Sequence, residues 1–205
     1  MKEEIPTGQS GPVEEQLLWE MFLSGDDRAY AYFYVKYTDD LFAYGMRFTP
    51  DRELVKDAIQ DVFVKIYSNR TRLNKIDKVK PYLFMALKNT LFNVFQKEKA
   101  LYHIDTIEPV FITEYPVEDM IIADEQEAER KQRINQLLEA LTPRQKEVIY
   151  YRYVEGMKLD DICKLMEMNY QSVQNLIQRA IGRIRSVYAG KSSSALNVRL
   201  MSQYL

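Results

Sequence analysis

The sequence predicts an all-α fold of two small helical domains joined by a flexible linker. Three observations carry this. Apolar residues recur at three- and four-residue steps in every periodic stretch. Helix starts are written in Thr49-Pro50-Asp51 and Thr142-Pro143, where a capping oxygen precedes a proline whose missing N–H costs nothing. Residues 100–118 lack periodicity and contain Pro109 and Pro116, so they read as a linker between helical segments 13–99 and 119–188. Residues 1–12, with Pro6, Gly8, Gly11 and Pro12, are expected to be disordered, and 189–205 form a C-terminal tail.

Composition narrows the function. One cysteine among 205 residues excludes an intramolecular disulfide framework, and a single histidine removes most routes to a catalytic base. No metal-ligand cluster and no cofactor motif is present, so the chain does not read as an enzyme. The N-terminus lacks a basic segment followed by an apolar run, and no stretch is long enough to span a bilayer. Cytoplasmic residence without membrane insertion is the expectation. The net charge of -2 conceals alternating blocks. Residues 1–29 hold 2 bases and 7 acids, 30–98 hold 12 and 8, 99–140 hold 4 and 10, and 141–205 hold 10 and 5. Two basic blocks separated by an acidic one suggest two polyanion-facing modules and a connector that is not one.

In chain order, a short helix beginning at Val13 is predicted to place Leu17, Leu18, Met21 and Phe22 inward, with Trp19 at the core or its edge. Ser24-Gly25 stops it and Asp26 caps the next helix. From Asp27 to Phe48 the aromatics crowd, and at helical spacing most belong in a core. The helix opened by Thr49-Pro50-Asp51 buries Leu54, Ala58, Ile59, Val62, Phe63, Ile66 and Tyr67. Its outer face carries Asp57, Gln60, Asp61 and Lys65, which alone indicates only solubility. Residues 68–80 read as a polar basic loop. Pro81 opens a further helix around which Lys80, Tyr82, Phe84, Lys88, Asn89, Phe92 and Lys97 interleave bases with rings. Cations for phosphates beside rings for stacking suit single-stranded DNA; ordinary surface lysines explain the segment equally well.

Residues 119–140 read as an acidic helix leading into the most informative stretch, Leu141–Tyr188. Here a first helix ends at Glu155-Gly156 and a short second one runs from about Lys158 to Met166. After a break at Met168-Asn169, a third helix carries Val173, Leu176, Ile177, Ala180, Ile181, Ile184 and Tyr188 inward. Its other face shows Gln171, Ser172, Gln174, Asn175, Gln178, Arg179, Arg183 and Arg185, without an acid. The fold expected is a helix-turn-helix, a winged-helix-like bundle of three to four helices without the wing. Amides and guanidinium groups can bond base edges and phosphates in a major groove. A merely solvated helix face is the alternative, and the acid-free stripe, short second helix and tight turn together favour DNA.

Taken jointly, these features resemble the sigma factors of bacterial RNA polymerase, in particular the extracytoplasmic-function group of the sigma-70 family. Three pieces carry the likeness: Asp57-Ala58-Ile59-Gln60-Asp61-Val62-Phe63; Val79-Lys80-Pro81-Tyr82-Leu83 with Ala86-Leu87-Lys88-Asn89; and Leu141 to Arg185. The resemblance implies that 13–99 is region 2 and 119–188 is region 4. It implies that Asp57, Gln60, Asp61 and Lys65 dock on the beta-prime clamp helices of core RNA polymerase, with the beta flap a further contact. Lys80, Tyr82, Lys88 and Asn89, helped by the basic loop, would melt and read the minus-ten promoter element. Gln171, Ser172, Gln174, Asn175, Gln178, Arg179 and Arg183 would read the minus-thirty-five element. An anti-sigma factor is the further partner implied. Departures are visible: Tyr82 replaces the usual tryptophan, and Lys80 and Lys88 the usual arginines. Glu167 stands where the turn commonly has glycine, so the turn must tolerate a side chain there. Gln174 and Leu176 replace a frequent lysine and arginine. Cys163 replaces a small alanine and reads as a core residue. A helix-turn-helix regulator with no sigma role is the rival reading.

Overall fold

The computed structural model describes residues 12–76, 78–102, 111–112 and 135–189. The expected disordered N-terminus, the C-terminal tail, most of the linker with His103, the acidic helix before residue 135 and the side chain of Tyr188 lie outside the described residues. The chain divides into two compact units, Met1–Pro109 and Val110–Leu205. All regular structure among the described residues is helical.

The first unit holds α1 (Pro12–Leu23), α2 (Asp27–Gly45), α3 (Arg52–Asn69) and α4 (Val79–Tyr102). Gly25, with φ +99°, ends α1 by letting its own N–H reach the carbonyl of Phe22 while that of Asp26 reaches Met21. Asp26 then caps α2, its carboxylate accepting from the Arg28 N–H and pairing with the Arg28 guanidinium at 3.0 Å. That hydrogen bonding holds the Asp26 carboxyl below its ordinary pKa.

Three expectations are corrected here. Leu17 points outward at 59% exposure, and the buried stripe of α1 is Leu18, Trp19 and Phe22. A large flat ring covers more of the core than a leucine, so the helix turns Trp19 inward. The cap of α3 is Asp51, two residues beyond the expected Thr49. Asp51 accepts from the N–H groups of Glu53 and Leu54, each at 3.0 Å, where its charge also suits the helix dipole. Thr49 is buried instead and accepts from the Asp51 N–H. Finally, the loop is shorter than 68–80. Helix α3 continues to Asn69, a 3₁₀ turn takes Arg70–Arg72, and α4 begins two residues before Pro81. Proline is tolerated in a first turn, and Val79, 2% exposed, anchors the start of α4 in the core.

The core of this unit is aromatic. Tyr44 and Phe84 stack at 4.2 Å and 14°, and Trp19 meets Phe22 and Phe33 at 5.2 and 5.6 Å. Glu15 ties α1 to α2, accepting hydrogen bonds from the Tyr37 hydroxyl and from Lys36. Burial opposes charge on Lys36, but its bonds to Glu15 and Tyr32 outweigh it and raise its pKa. Helices α2 and α3 meet at Gly45, where an added Cβ would stand 2.6 Å from a methyl of Val55.

The second unit contains a short helical segment at 135–139, then α5 (Pro143–Ile149), α6 (Leu159–Met166) and α7 (Tyr170–Ala189). Thr142 caps α5 as expected, in a reciprocal box with Gln145. A π-turn, Tyr150–Val154, extends α5. Phe111, which the sequence reading assigns to the linker, is buried against Tyr150 and Tyr151 at centroid distances of 5.4 and 6.4 Å. The turn between α6 and α7 is a Schellman closure. The Glu167 N–H reaches the Lys164 carbonyl and the Met168 N–H that of Cys163. Glu167 holds the left-handed position at φ 52°, the expected glycine site, and is the only non-glycine residue with positive φ among the described residues. Asn169 caps α7, accepting from the Ser172 N–H at 2.8 Å.

Two substitutions test this packing. Gly45→Ala is expected to lower stability by about 1–3 kcal/mol through overpacking, against about 1 kcal/mol of helix propensity gained. Pairing it with Val55→Ala makes room for the added methyl, so denaturant midpoints of the single and double variants are expected to be non-additive. Glu167→Gly relieves a left-handed side-chain strain of about 1 kcal/mol and is expected to raise the second unit's unfolding midpoint.

Candidate nucleic-acid and polymerase interfaces

Three faces carry the candidate residues, two in the first unit and one in the second. On α3, Asp57, Gln60, Asp61 and Lys65 are all exposed and share the face opposite the buried Val55, Ile59, Val62 and Ile66. Asp61 and Lys65 pair at 3.8 Å one turn apart, with both side chains more than half exposed. Such a pair adds little stability. Val64 lies in the middle of this stripe, 53% exposed, and sequence reasoning passed it over. Its three-residue step from Asp61 was the signal. Tyr34, 41% exposed, reaches α3 from the neighbouring helix through its edge contact with Phe63 at 4.9 Å. The result is a mixed face of acid, amide and apolar groups, the composition a protein partner can grip.

On α4 the four predicted residues do not share one face. Tyr82 and Asn89, seven residues apart, stand together on the outer side; Lys80 and Lys88, eight apart, flank the buried stripe of Phe84, Leu87 and Leu91 on the other side. Lys80 is bonded to Asp40 at 2.8 Å and lies over the Phe84 ring; Lys88 lies over Phe92. Tyr82 is half-buried, edge-on to Trp19 at 5.6 Å, and burial raises its pKa, so it presents a neutral hydroxyl. Phe84, expected on the exposed side, is fully buried in the stack with Tyr44. Phe92 is half-buried, edge-on to Phe48 at 5.5 Å. The core took these rings because α4 packs against both α2 and α3. Arg72 in the 3₁₀ turn and Lys75 beyond it are exposed.

On α7 the buried stripe is Val173, Ile177, Ala180 and Ile184, with Leu176 and Ile181 half-buried. Gln171, Gln178, Arg179, Arg183 and Arg185 are exposed, while Ser172, Gln174 and Asn175 are partly covered. The Gln171 amide donates to Asn175 at 3.1 Å, holding both amides in place one turn apart. Tyr170, at the first position of the helix and 49% exposed, was missed, because only the polar residues of that face were singled out. Cys163 is half-buried on α6. Burial and the nearby Asp160 carboxylate raise its thiol pKa, which suits a packing residue better than a reactive one. Among the described residues no acidic, histidine or cysteine group could hold a metal ion, and no helix is long and apolar enough to cross a membrane.

Comparison with known proteins bears on the family. Residues 33–100 match the family model "Sigma-70 region 2" and residues 131–184 match "Sigma-70, region 4". The chain is 21% identical over 159 residues to the ECF RNA polymerase sigma factor SigM of Bacillus subtilis, covering 76% of this chain and 92% of that protein. It is 23% identical over 157 residues to the RNA polymerase sigma-E factor of Streptomyces coelicolor, covering 77% and 84%. Among solved structures it resembles CnrH in complex with the cytosolic domain of CnrY, with a TM-score of 0.57 and 17% identity over 87% of this chain and 99% of that one. It also resembles RpoE from Bartonella quintana in complex with the anti-sigma factor NepR, with a TM-score of 0.53 and 17% identity over 78% and 96%. Both structural likenesses speak to the fold. The two family matches, in this order and on these helices, identify the chain as a promoter-directing member of the sigma-70 family of RNA polymerase sigma factors, in its extracytoplasmic-function group.

Proposed function

We propose that this sigma factor divides its work among the three faces. The α3 face, Asp57, Gln60, Asp61 and Lys65, docks on the beta-prime clamp helices of core RNA polymerase. Lys80, Tyr82, Lys88 and Asn89 engage the minus-ten element, and Gln171, Ser172, Gln174, Asn175, Gln178, Arg179 and Arg183 the minus-thirty-five element. The domain limits that go with this are 13–99 and 119–188, joined by 100–118. The observation that carries the reading is the acid-free outward face of α7, held on an apolar stripe behind a capped tight turn. The mixed acidic face of α3 supports a protein partner there. The arrangement binds and positions; bond making belongs to the polymerase, in the cytoplasm.

Lys80 enters this reading in a specific way. Its ion pair with Asp40 holds the ammonium at the start of α4. A promoter phosphate would replace that carboxylate as its partner, so salt dependence of promoter binding includes this exchange. An anti-sigma factor that covers these faces belongs to the same proposal. The RpoE relative, held with NepR, is a precedent in that protein.

Association with purified bacterial core polymerase tests the docking face. Asp61 is exposed and its ion pair weak, so Asp61→Ala is expected to fold normally and bind polymerase about tenfold more weakly. Unchanged affinity would exclude the face. Arg179→Ala is expected to leave polymerase affinity intact and weaken holoenzyme binding to promoter DNA, by about 1–3 kcal/mol if it reads a base. A uniform loss across promoter sequences, with a shallower salt slope, would assign it to a phosphate.

A further inference from the structure

Helix α1 precedes the region matched by the family model, which begins at residue 33. Nothing in the three faces above requires it, yet it holds the segment that follows α3. The Trp19 indole N–H donates to the backbone carbonyl of Asn74 at 3.4 Å, across 55 residues of sequence. One residue further along, Glu20 pairs with Lys75 at 2.7 Å, again across 55 residues. The same Trp19 ring lies edge-on to Tyr82 at 5.6 Å. A buried indole, an exposed carboxylate and a ring edge from two successive residues therefore converge on one loop and the start of α4.

We propose that α1 is a brace that sets the loop Arg70–Ile76 and the Tyr82 ring for reading the minus-ten strand, with Trp19 and Glu20 as positioning residues. The proposal rests on the assignment of α4 and this loop to the minus-ten element. The physical case is one of rigidity. The Leu73 N–H still reaches back to Asn69 and Arg70, but residues 74–76 beyond it take no helical form, so their backbone is held by what it touches. Trp19 is 1% exposed and cannot move without opening the core. Its N–H thus acts as a fixed peg, while the Glu20–Lys75 pair stops the loop from rotating about it. Indole fills the site and donates a hydrogen bond from its ring edge, whereas a phenylalanine there would have no donor. The exposed pair contributes little to global stability. Its effect is on where the loop sits.

Two measurements test the brace on the full chain. Limited trypsin digestion, read bond by bond, compares wild type with Trp19→Phe and Glu20→Gln. Cutting after Lys75 is expected to rise about threefold or more with far-ultraviolet circular dichroism unchanged; equal cutting rates in all three would overturn the brace. In the second, each protein is assembled with core polymerase and transcribes a template library randomised across the upstream promoter region, and the transcripts are sequenced. Glu20→Lys is expected to reduce base discrimination at minus-ten positions by about threefold to tenfold while polymerase affinity and minus-thirty-five preference hold. Glu20→Asp, which keeps the carboxylate, is expected to keep discrimination near that of wild type. A merely structural role would move polymerase affinity and both promoter preferences together. Unaltered preferences in Trp19→Phe and Glu20→Lys, with a clear wild-type promoter motif, would overturn the brace alone. A wild type that assembles with polymerase and selects no sequence would overturn the promoter-reading assignment, and the brace with it.

Discussion

The outward faces of the first unit depend on how closely α2 can approach its neighbours. At Gly45 the absent side chain lets a methyl of Val55 come within reach of the α2 backbone, with Leu87 of α4 alongside. That contact fixes α3 and α4 against one central helix. Tyr44, the preceding residue, stacks on Phe84 from the same turn. Because an α-helix is rigid over this length, the depth of contact at one glycine sets where Asp57–Lys65 and Tyr82–Asn89 stand on the surface. The candidate interfaces are therefore consequences of core packing as much as of surface chemistry.

The second unit solves a similar problem with backbone geometry. Its helix α7 begins shortly after α6 ends, and the chain turns between them through a left-handed Glu167. Hydrogen bonds from Glu167 and Met168 back into α6, and the Asn169 cap forward into α7, hold that residue in a conformation it would otherwise avoid. Local strain is tolerated because both helix ends are satisfied by the same three residues.

Much of this was legible in the sequence. Asp26 and Thr142 were identified as caps from chemistry that operates within four residues, and the stripes of α3 and α7 from periodicity alone. What escaped depended on competition between neighbours. Leu17 and Trp19 both belong in a core by hydropathy, and only tertiary packing decides which is turned inward. Thr49 and Asp51 can each cap a helix; the carboxylate prevailed because the hydroxyl was more useful inside. Phe84 read as a surface ring because its partner, Tyr44, lies 40 residues away. On the candidate faces, polar residues were found because they stand out by type. Val64 and Tyr170 were not, since an apolar or aromatic residue does not stand out by type; only its step from Asp61 marks Val64 as part of the outer face.

The π-turn at Tyr150–Val154 carries a different implication. An i to i+5 turn is a helix with one surplus residue stored in it. The Glu155 N–H reaches back to the Tyr150 carbonyl in this way, and the Met157 N–H closes the turn on Tyr151. Losing one residue there would let the segment relax to an ordinary helix without severing the chain or emptying the core. The residues after it would then be turned by about 100° relative to those before it, and the packing of α7 on α5 would have to be remade. The surplus residue thus keeps the buried Tyr150 and Tyr151 and the packing of α7 on α5 in register at the same time. The π-turn therefore acts as a register setting for this unit: shortening it by one residue would disturb the core before it re-aimed any outward face.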